Sequence, residues 1–215
     1  MNKMKTLIAG SVLAASTVAS SVAMAGASGN VGYVSDYFFR GIYQTTSSAS
    51  AGLDYDFENG FAVGVWAADV DDGMEYDVYG SYSGEVSDFG YSVGYTSYNY
   101  TDDWDGTYNE VNLGLSYGPI SVDYADGEYD PVGAGATSDY SFTSVTLEHK
   151  GAYVTFGSFG KDAEGSYTEL GYGMEAGGFD VGVAIINNDE DLDVRSTDGD
   201  GETTMTLSLS KSFDL

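Results

Sequence analysis

Carboxylates recur in this chain at every second position: Asp54-x-Asp56-x-Glu58, Glu75-x-Asp77, and Glu169 with Glu175 on one parity of a later run. Such sets can serve as general acid and base, ligate hard cations, or line an ion path. Catalysis lacks partners here. There is no cysteine and a single histidine, His149, whose neighbour Glu148 falls on the opposite face of an extended segment, so no Ser-His-acid arrangement is legible. His149 reads as a solvated turn residue, and the protein as a non-enzyme without a cofactor. Two loops are crowded with acids: Asp102, Asp103 and Asp105, then Asp189, Glu190, Asp191, Asp193, Asp198, Asp200 and Glu202. Neither matches the spacing of a twelve-residue Ca²⁺ loop, and no metal site is assigned.

The set left to carry function is therefore Asp36, Asp54, Asp56, Glu58, Glu75, Asp77, Glu110, Asp123, Glu169, Glu175 and Asp180, with Arg40 beside them as the main internal cation. What positions it is clearest between Ala51 and Ala67. There Ala51, Leu53, Tyr55 and Phe57 take one parity and Asp54, Asp56 and Glu58 the other, a period-two pattern with an apolar and an acidic face. Asn59-Gly60 predicts a type I′ hairpin turn, after which Phe61, Val63 and Val65 resume the apolar face.

The same alternation predicts about twelve strands. The first runs from Gly29 to Phe39 with Val31, Tyr33, Tyr37 and Phe39 outward, followed by a polar connection from Arg40 to Ser50. After the hairpin and an acidic loop from Val70 to Gly73, strands follow at Met74–Glu85, from Tyr91, at Tyr108–Tyr117 and at Ile120–Ala125. A long connection from Asp126 to Ser138 precedes a strand at Tyr140–His149, whose parity slips between Phe142 and Val145 as at a bulge. The remaining strands begin at Ala152, at Ser166 (to Ala176), at Phe179 after the Gly177-Gly178 turn, and at Thr203 (to Phe213), with connections from Phe159 to Gly165 and from Asn187 to Gly201.

Tight turns follow the even strands and longer connections the odd ones. That sorting fits an antiparallel, up-and-down transmembrane β-barrel, all-β in class, better than a soluble sandwich. Acids on a lipid face would lose hydration unpaired, so the Val, Leu, Phe and Tyr parity faces outward and the acids line the lumen. Tyr33, Tyr37, Tyr55, Phe57, Phe61, Tyr117, Phe179 and Phe213 are expected to form interfacial girdles.

Composition agrees: 30 Gly and 19 Tyr against 2 Pro suit pleated strands and turns, and 14% aromatic residues argue against disorder despite a formal charge of −27. That charge repels nucleic acid and attracts cations. Residues 1–25 read as a signal peptide, with Lys3 and Lys5, an apolar stretch from Leu7 to Ala15, and Ala23-Met24-Ala25 before a mature start near Gly26; residues 26–215 are the barrel.

Asn30-Val31 and the run Ser35-Asp36-Tyr37-Phe38-Phe39-Arg40-Gly41-Ile42-Tyr43-Gln44-Thr45 resemble the opening of the TorF-family porins, also known as the Gcw_chp family of bacterial outer-membrane proteins. Glu58-Asn59-Gly60-Phe61 with Trp66, the stretch from Glu75 to Gly84, and Asn109-Glu110 leading to Ser116-Tyr117-Gly118 are similar to the same family. The resemblance implies an outer-membrane barrel and a pore, and the terminal Lys211 to Leu215 resembles ends read by the barrel assembly machinery. The expectation is a passive channel for small hydrophilic solutes, cation-preferring through its acidic lumen. The alternative is a closed structural or surface-interaction barrel. Membrane lipid and lipopolysaccharide, the latter bridged through divalent ions on the acidic loops, are the expected surroundings.

Overall fold

Alternating apolar and polar positions cannot satisfy both faces in one solvent, and the chain resolves this by closing a sheet on itself. The computed structural model describes residues 26–195 and 200–215. The expected signal peptide, residues 1–25, and Asp198 lie outside them. Twelve strands form: β1 (Gly26–Phe39), β2 (Ile42–Asp56), β3 (Phe61–Val70), β4 (Gly73–Val86), β5 (Phe89–Tyr100) and β6 (Thr107–Tyr117), then β7 (Ile120–Asp130), β8 (Ser138–His149), β9 (Ala152–Lys161), β10 (Ser166–Ala176), β11 (Phe179–Asn188) and β12 (Glu202–Asp214). Each pairs antiparallel with its neighbour in sequence, and β1 pairs with β12 to close the barrel.

The outward parity matches expectation. Leu53, Val63, Val65, Leu113, Leu115, Leu170, Ile185 and Leu207 are all exposed, as are Tyr33, Tyr55, Phe57, Phe61, Tyr117, Phe179 and Phe213 of the expected girdles. An apolar wall continuous around the whole circumference faces lipid rather than water.

The connections depart from expectation in places. The connections after even strands are short and define a turn end; those after odd strands define a loop end. Long connections do join β5 to β6, β7 to β8 and β11 to β12, but β1–β2 and β3–β4 are joined only by Arg40-Gly41 and Asp71-Asp72. The stretch from Arg40 to Ser50 is therefore mostly strand, because its Thr and Ser side chains suit a ladder as well as a loop. Likewise β7 runs on to Asp130, β9 to Lys161 and β11 to Asn188, past their expected ends. The turn at Asn59-Gly60 spans Phe57 to Gly60 with Gly60 at φ +88, a longer loop built on one left-handed glycine rather than a type I′ turn. Gly177-Gly178, at φ +65 and +79, is the expected two-residue turn.

No bulge interrupts β8. Its register against β7 runs unbroken from Ile120↔Leu147 to Tyr129↔Ser138, and the apparent slip arises because Phe142 is a large apolar residue pointing inward. The register shift falls instead on β1, between Tyr37 and Phe38. Tyr37, expected at the lipid interface, is 1% exposed inside the barrel.

Inside, glycines make room for rings. Gly64 pairs with Tyr79, Gly127 with Tyr140, Gly157 with Tyr167 and Gly171 with Tyr153, and a Cβ at any of these glycines would meet its partner's ring. Each of these four tyrosines thus packs over a glycine of an adjacent strand, which covers the bare backbone and fills the barrel. Gly171→Ala is expected to lower the thermal midpoint in detergent, at a cost of about 1–3 kcal/mol from overpacking. In a Tyr153→Ala background the same substitution should cost measurably less; equal costs in both backgrounds would remove the pairing as the cause.

Candidate functional site

The inner face divides along the barrel axis. Toward the turn end it carries Asp54, Asp56, Ala62, Ser81, Ser92, Ser121, Asp123 and Asp180, all partly exposed. Small and polar side chains there leave a hydrated space. Toward the loop end the inner face is buried and aromatic, with two clusters: Phe38, Ala125, Phe142, Tyr167, Ile186 and Leu192, and Val34, Tyr37, Trp66, Ala68 and Val70.

What fills the loop end is the tip of the β1–β2 hairpin. The β1–β12 ladder stops at Val34↔Ser208, and the β2–β3 ladder stops at Ser50↔Ala68. Between these limits β1 and β2 pair only with each other, down to Phe39↔Ile42 at the tip. The hairpin so released leans into the lumen. Side chains close the seams it leaves: Ser48 Oγ donates to the Asp69 carbonyl (2.7 Å), Thr206 Oγ1 to the Asp36 carbonyl (2.8 Å), and the Leu207 N–H to Ser35 Oγ (2.9 Å). Ser47, at φ +62, lies in β2 within the released stretch.

At the tip, Arg40 reaches across to β6. Its Nη1 donates to Glu110 Oε2 and its Nη2 to Glu110 Oε1, both at 2.8 Å, a bidentate fork. Tyr98 (2.9 Å) and Asn112 (2.6 Å) also donate to Glu110 Oε1, and Tyr140 (2.8 Å) to Oε2. The guanidinium lies 4.8 Å from the Phe39 ring centre and 4.5 Å from that of Phe142. Gly41 sits against the Tyr167 ring, and its carbonyl accepts from Asn188 Nδ2 at 2.8 Å. The chain's other arginine, Arg195, covers the hairpin from the β11–β12 connection, 3.9 Å from the Tyr43 ring centre, while ion-paired to Glu202.

The expected lining residues therefore separate into groups. Arg40, Glu110, Glu75, Asp77 and Glu169 come together in the buried loop-end half. Asp54, Asp56, Asp123 and Asp180 line the hydrated half, with Asp54 accepting from Tyr79 OH (2.5 Å) and from Asn30 Nδ2 (3.4 Å). Glu175 pairs across from Asp180 near the turn-end rim, and Glu58 stands exposed in the turn itself. Asp36 lies on the hairpin seam, its carboxylate held by Ser35 Oγ at 3.1 Å. His149 is exposed at the end of β8, as expected.

Sequence reasoning missed the buried aromatic residues of the lumen: Trp66, Tyr98, Tyr140, Phe142, Tyr153 and Tyr167. Parity alone signals them, since each shares the inward register of a neighbouring acid, glycine or serine. Glu75 accepts from Tyr37 OH at 3.0 Å and Glu169 from Tyr153 OH at 2.5 Å. Glu75 Oε2 and Asp77 Oδ1 are buried with no hydrogen-bond partner among the described residues. Among those residues no group of three or more His, Cys, Asp or Glu side chains is arranged to hold a metal.

A family model described as a bacterial protein of unknown function (Gcw_chp) matches residues 16–213. No curated protein matches the sequence. Among solved structures the barrel is similar to the KdgM porin, with a TM-score of 0.58 at 12% identity over 86% of this chain and 99% of that one. A second structure of the KdgM porin, in complex with disordered oligogalacturonate, gives a TM-score of 0.58 at 11% identity, with the same coverage. A membrane protein from a study of in-meso crystallization gives a TM-score of 0.61 at 8% identity, over 89% of this chain and 84% of that one. At these identities the likeness is one of fold.

An unpaired buried carboxylate costs several kcal/mol, and an isosteric amide removes the charge while keeping the shape. Asp77→Asn is therefore expected to leave the thermal midpoint unchanged or raise it at neutral pH, whereas Glu110→Gln, which strands Arg40, should destabilise by about 3–5 kcal/mol. Heat titration of the two variants in detergent compares them; equal losses would contradict the distinction.

Proposed function

The chain belongs to the Gcw_chp family of bacterial proteins, and we propose that it is an outer-membrane channel for the passive diffusion of small hydrophilic solutes, narrowed at its loop end by the β1–β2 hairpin. One observation carries this reading: the half of the lumen toward the turn end is lined by small polar residues and partly exposed acids, Asp54, Asp56, Asp123 and Asp180. A barrel serving only as a structural body would be more stable with that space filled by apolar side chains. The shared fold with the KdgM porin supports the same reading.

In this proposal the turn end faces the periplasm and the loop end the cell exterior, with the acidic β5–β6 and β11–β12 connections near lipopolysaccharide. Residues 1–25 direct export and are removed near Gly26, residues 26–215 form the barrel, and the assembly machinery inserts it. Within the family the chain groups with the TorF-like porins. An acidic lining favours cations over anions. The galacturonate chains bound by the KdgM porin carry carboxylates, which this lining would repel, so the solutes proposed here are neutral or cationic.

A closed structural or surface-interaction barrel is the second reading, favoured by the enclosed Arg40–Glu110 contact across the loop-end half. Planar bilayer recording separates the two. Purified protein should pass current with a reversal potential favouring cations, and a triple variant Asp54→Asn, Asp123→Asn, Asp180→Asn should move that potential toward zero. Silence from both the wild type and a variant lacking residues 37–46 would establish the closed barrel instead.

A further inference from the structure

Arg40 is held the way a binding protein holds a ligand. Apart from Phe39 on the hairpin, the groups that hold its guanidinium belong to the opposite wall, Glu110 on β6 and Phe142 on β8, and the Glu110 carboxylate is in turn held by Asn112 on β6, Tyr98 on β5 and Tyr140 on β8. Three donors besides Arg40 fix the carboxylate, so its plane and remaining lone pairs are set by the wall and not by the hairpin. The Phe142 ring supplies a flat face at stacking distance from the guanidinium carbon, 4.5 Å. A fork of two parallel N–H groups fits this arrangement, while an ammonium, a compact charge with divergent donors, could not use both oxygens and the ring together. The Arg40 side chain retains 15% exposure while that of Glu110 retains 0%.

We propose that this wall pocket is a guanidinium-binding site, filled in the closed state by Arg40 as a tethered ligand. A solute carrying a guanidinium group competes for it and releases the hairpin. The release step rests on the channel reading above; the binding site does not. Displacement is feasible because the hairpin lacks ladder bonds to β12 and β3 beyond Val34 and Ser50, so freeing its tip breaks no strand pairing.

The chain has two arginines, Arg40 and Arg195, so selective ¹⁵N-arginine labelling of the full barrel in detergent yields two Nε–H signals, assigned with Arg195→Lys. Methylguanidinium should move the Arg40 signal toward its free-solution position, with Arg195, seated on the Tyr43 ring of the same hairpin, following only where the hairpin is released, and methylammonium at equal ionic strength should move neither. An unmoved Arg40 signal up to concentrations on the order of 100 mM, or equal responses to the two cations, would overturn the site, since a forked contact favours guanidinium. Arg40→Gly provides a second reading, because residue 40 sits at φ +51 where glycine is at ease. This variant leaves Glu110 unpaired, and methylguanidinium should restore its thermal midpoint at about tenfold lower concentration than methylammonium. In bilayers methylguanidinium should raise wild-type conductance. If the NMR displacement occurs without that rise, binding stands and the release step is overturned; a silent bilayer with the displacement intact refutes the channel and leaves the site in place.

Discussion

A carboxylate enclosed in a barrel wall must be neutralised or the barrel pays for it, and Glu110 sets that constraint here. Desolvating an ion of this size costs several kcal/mol even after relaxation. Tyr98, Tyr140 and Asn112 satisfy its lone pairs but bring no charge, so a cation is needed. Among its few basic residues, the chain supplies one at the tip of a hairpin on the far side of the lumen. For Arg40 to arrive, β1 must leave β12 at Val34 and β2 must leave β3 at Ser50. The seams sealed by Ser35, Ser48 and Thr206, the positive φ at Ser47 and the burial of Tyr37 and Phe38 are consequences of that one crossing.

The glycine and tyrosine pairs extend the same logic to volume. A twelve-stranded barrel is too wide for side chains of ordinary size to close, yet narrow beside open porins. Rings lying over Gly127 and Gly157 carry mass toward the axis without crowding the wall, and they gather at the level the hairpin reaches, Tyr140 on Glu110 and Tyr167 against Gly41. Below that level Gly64 and Tyr79 form the same kind of pair, but serines and acids dominate and the space is left to water. The aromatic and hydrated halves are thus two uses of one alternation pattern.

Much of this was legible in the chain. Period-two alternation predicts the strand number, their faces and the Gly177-Gly178 turn, because those follow from local sequence and a single rule about which parity meets lipid. The hairpin was not legible for the same reason. Alternation presumes that each strand has one wet and one apolar face, whereas the top of β1 is buried on both, and Tyr37-Phe38-Phe39 presents three aromatics in succession that no two-faced strand could sort. That run was the available signal. Among the acids, parity places Glu110 and Asp123 on the same inner face but says nothing of depth. Whether a carboxylate stands in water or against Arg40 depends on a residue seventy positions away in the chain.

The acids therefore do two different jobs, and the division bears on how a closed barrel could open. Glu110 is committed to a contact whose loss exposes an uncompensated buried charge, worth about 3–5 kcal/mol. Swinging the hairpin back into the wall would offer β12 and β3 the ladder bonds they now lack, each worth about 0.5–1.5 kcal/mol net. A handful of such bonds is comparable in size to the ion pair they would replace. In the proposed release the restored ladder would offset the lost ion pair, and the cost that remains is the withdrawal of Tyr37 and Phe38 from the two aromatic clusters. A cation that takes Arg40's place on Glu110 works toward that release, because it removes the ion-pair part of the cost while leaving the gain from the restored ladder untouched.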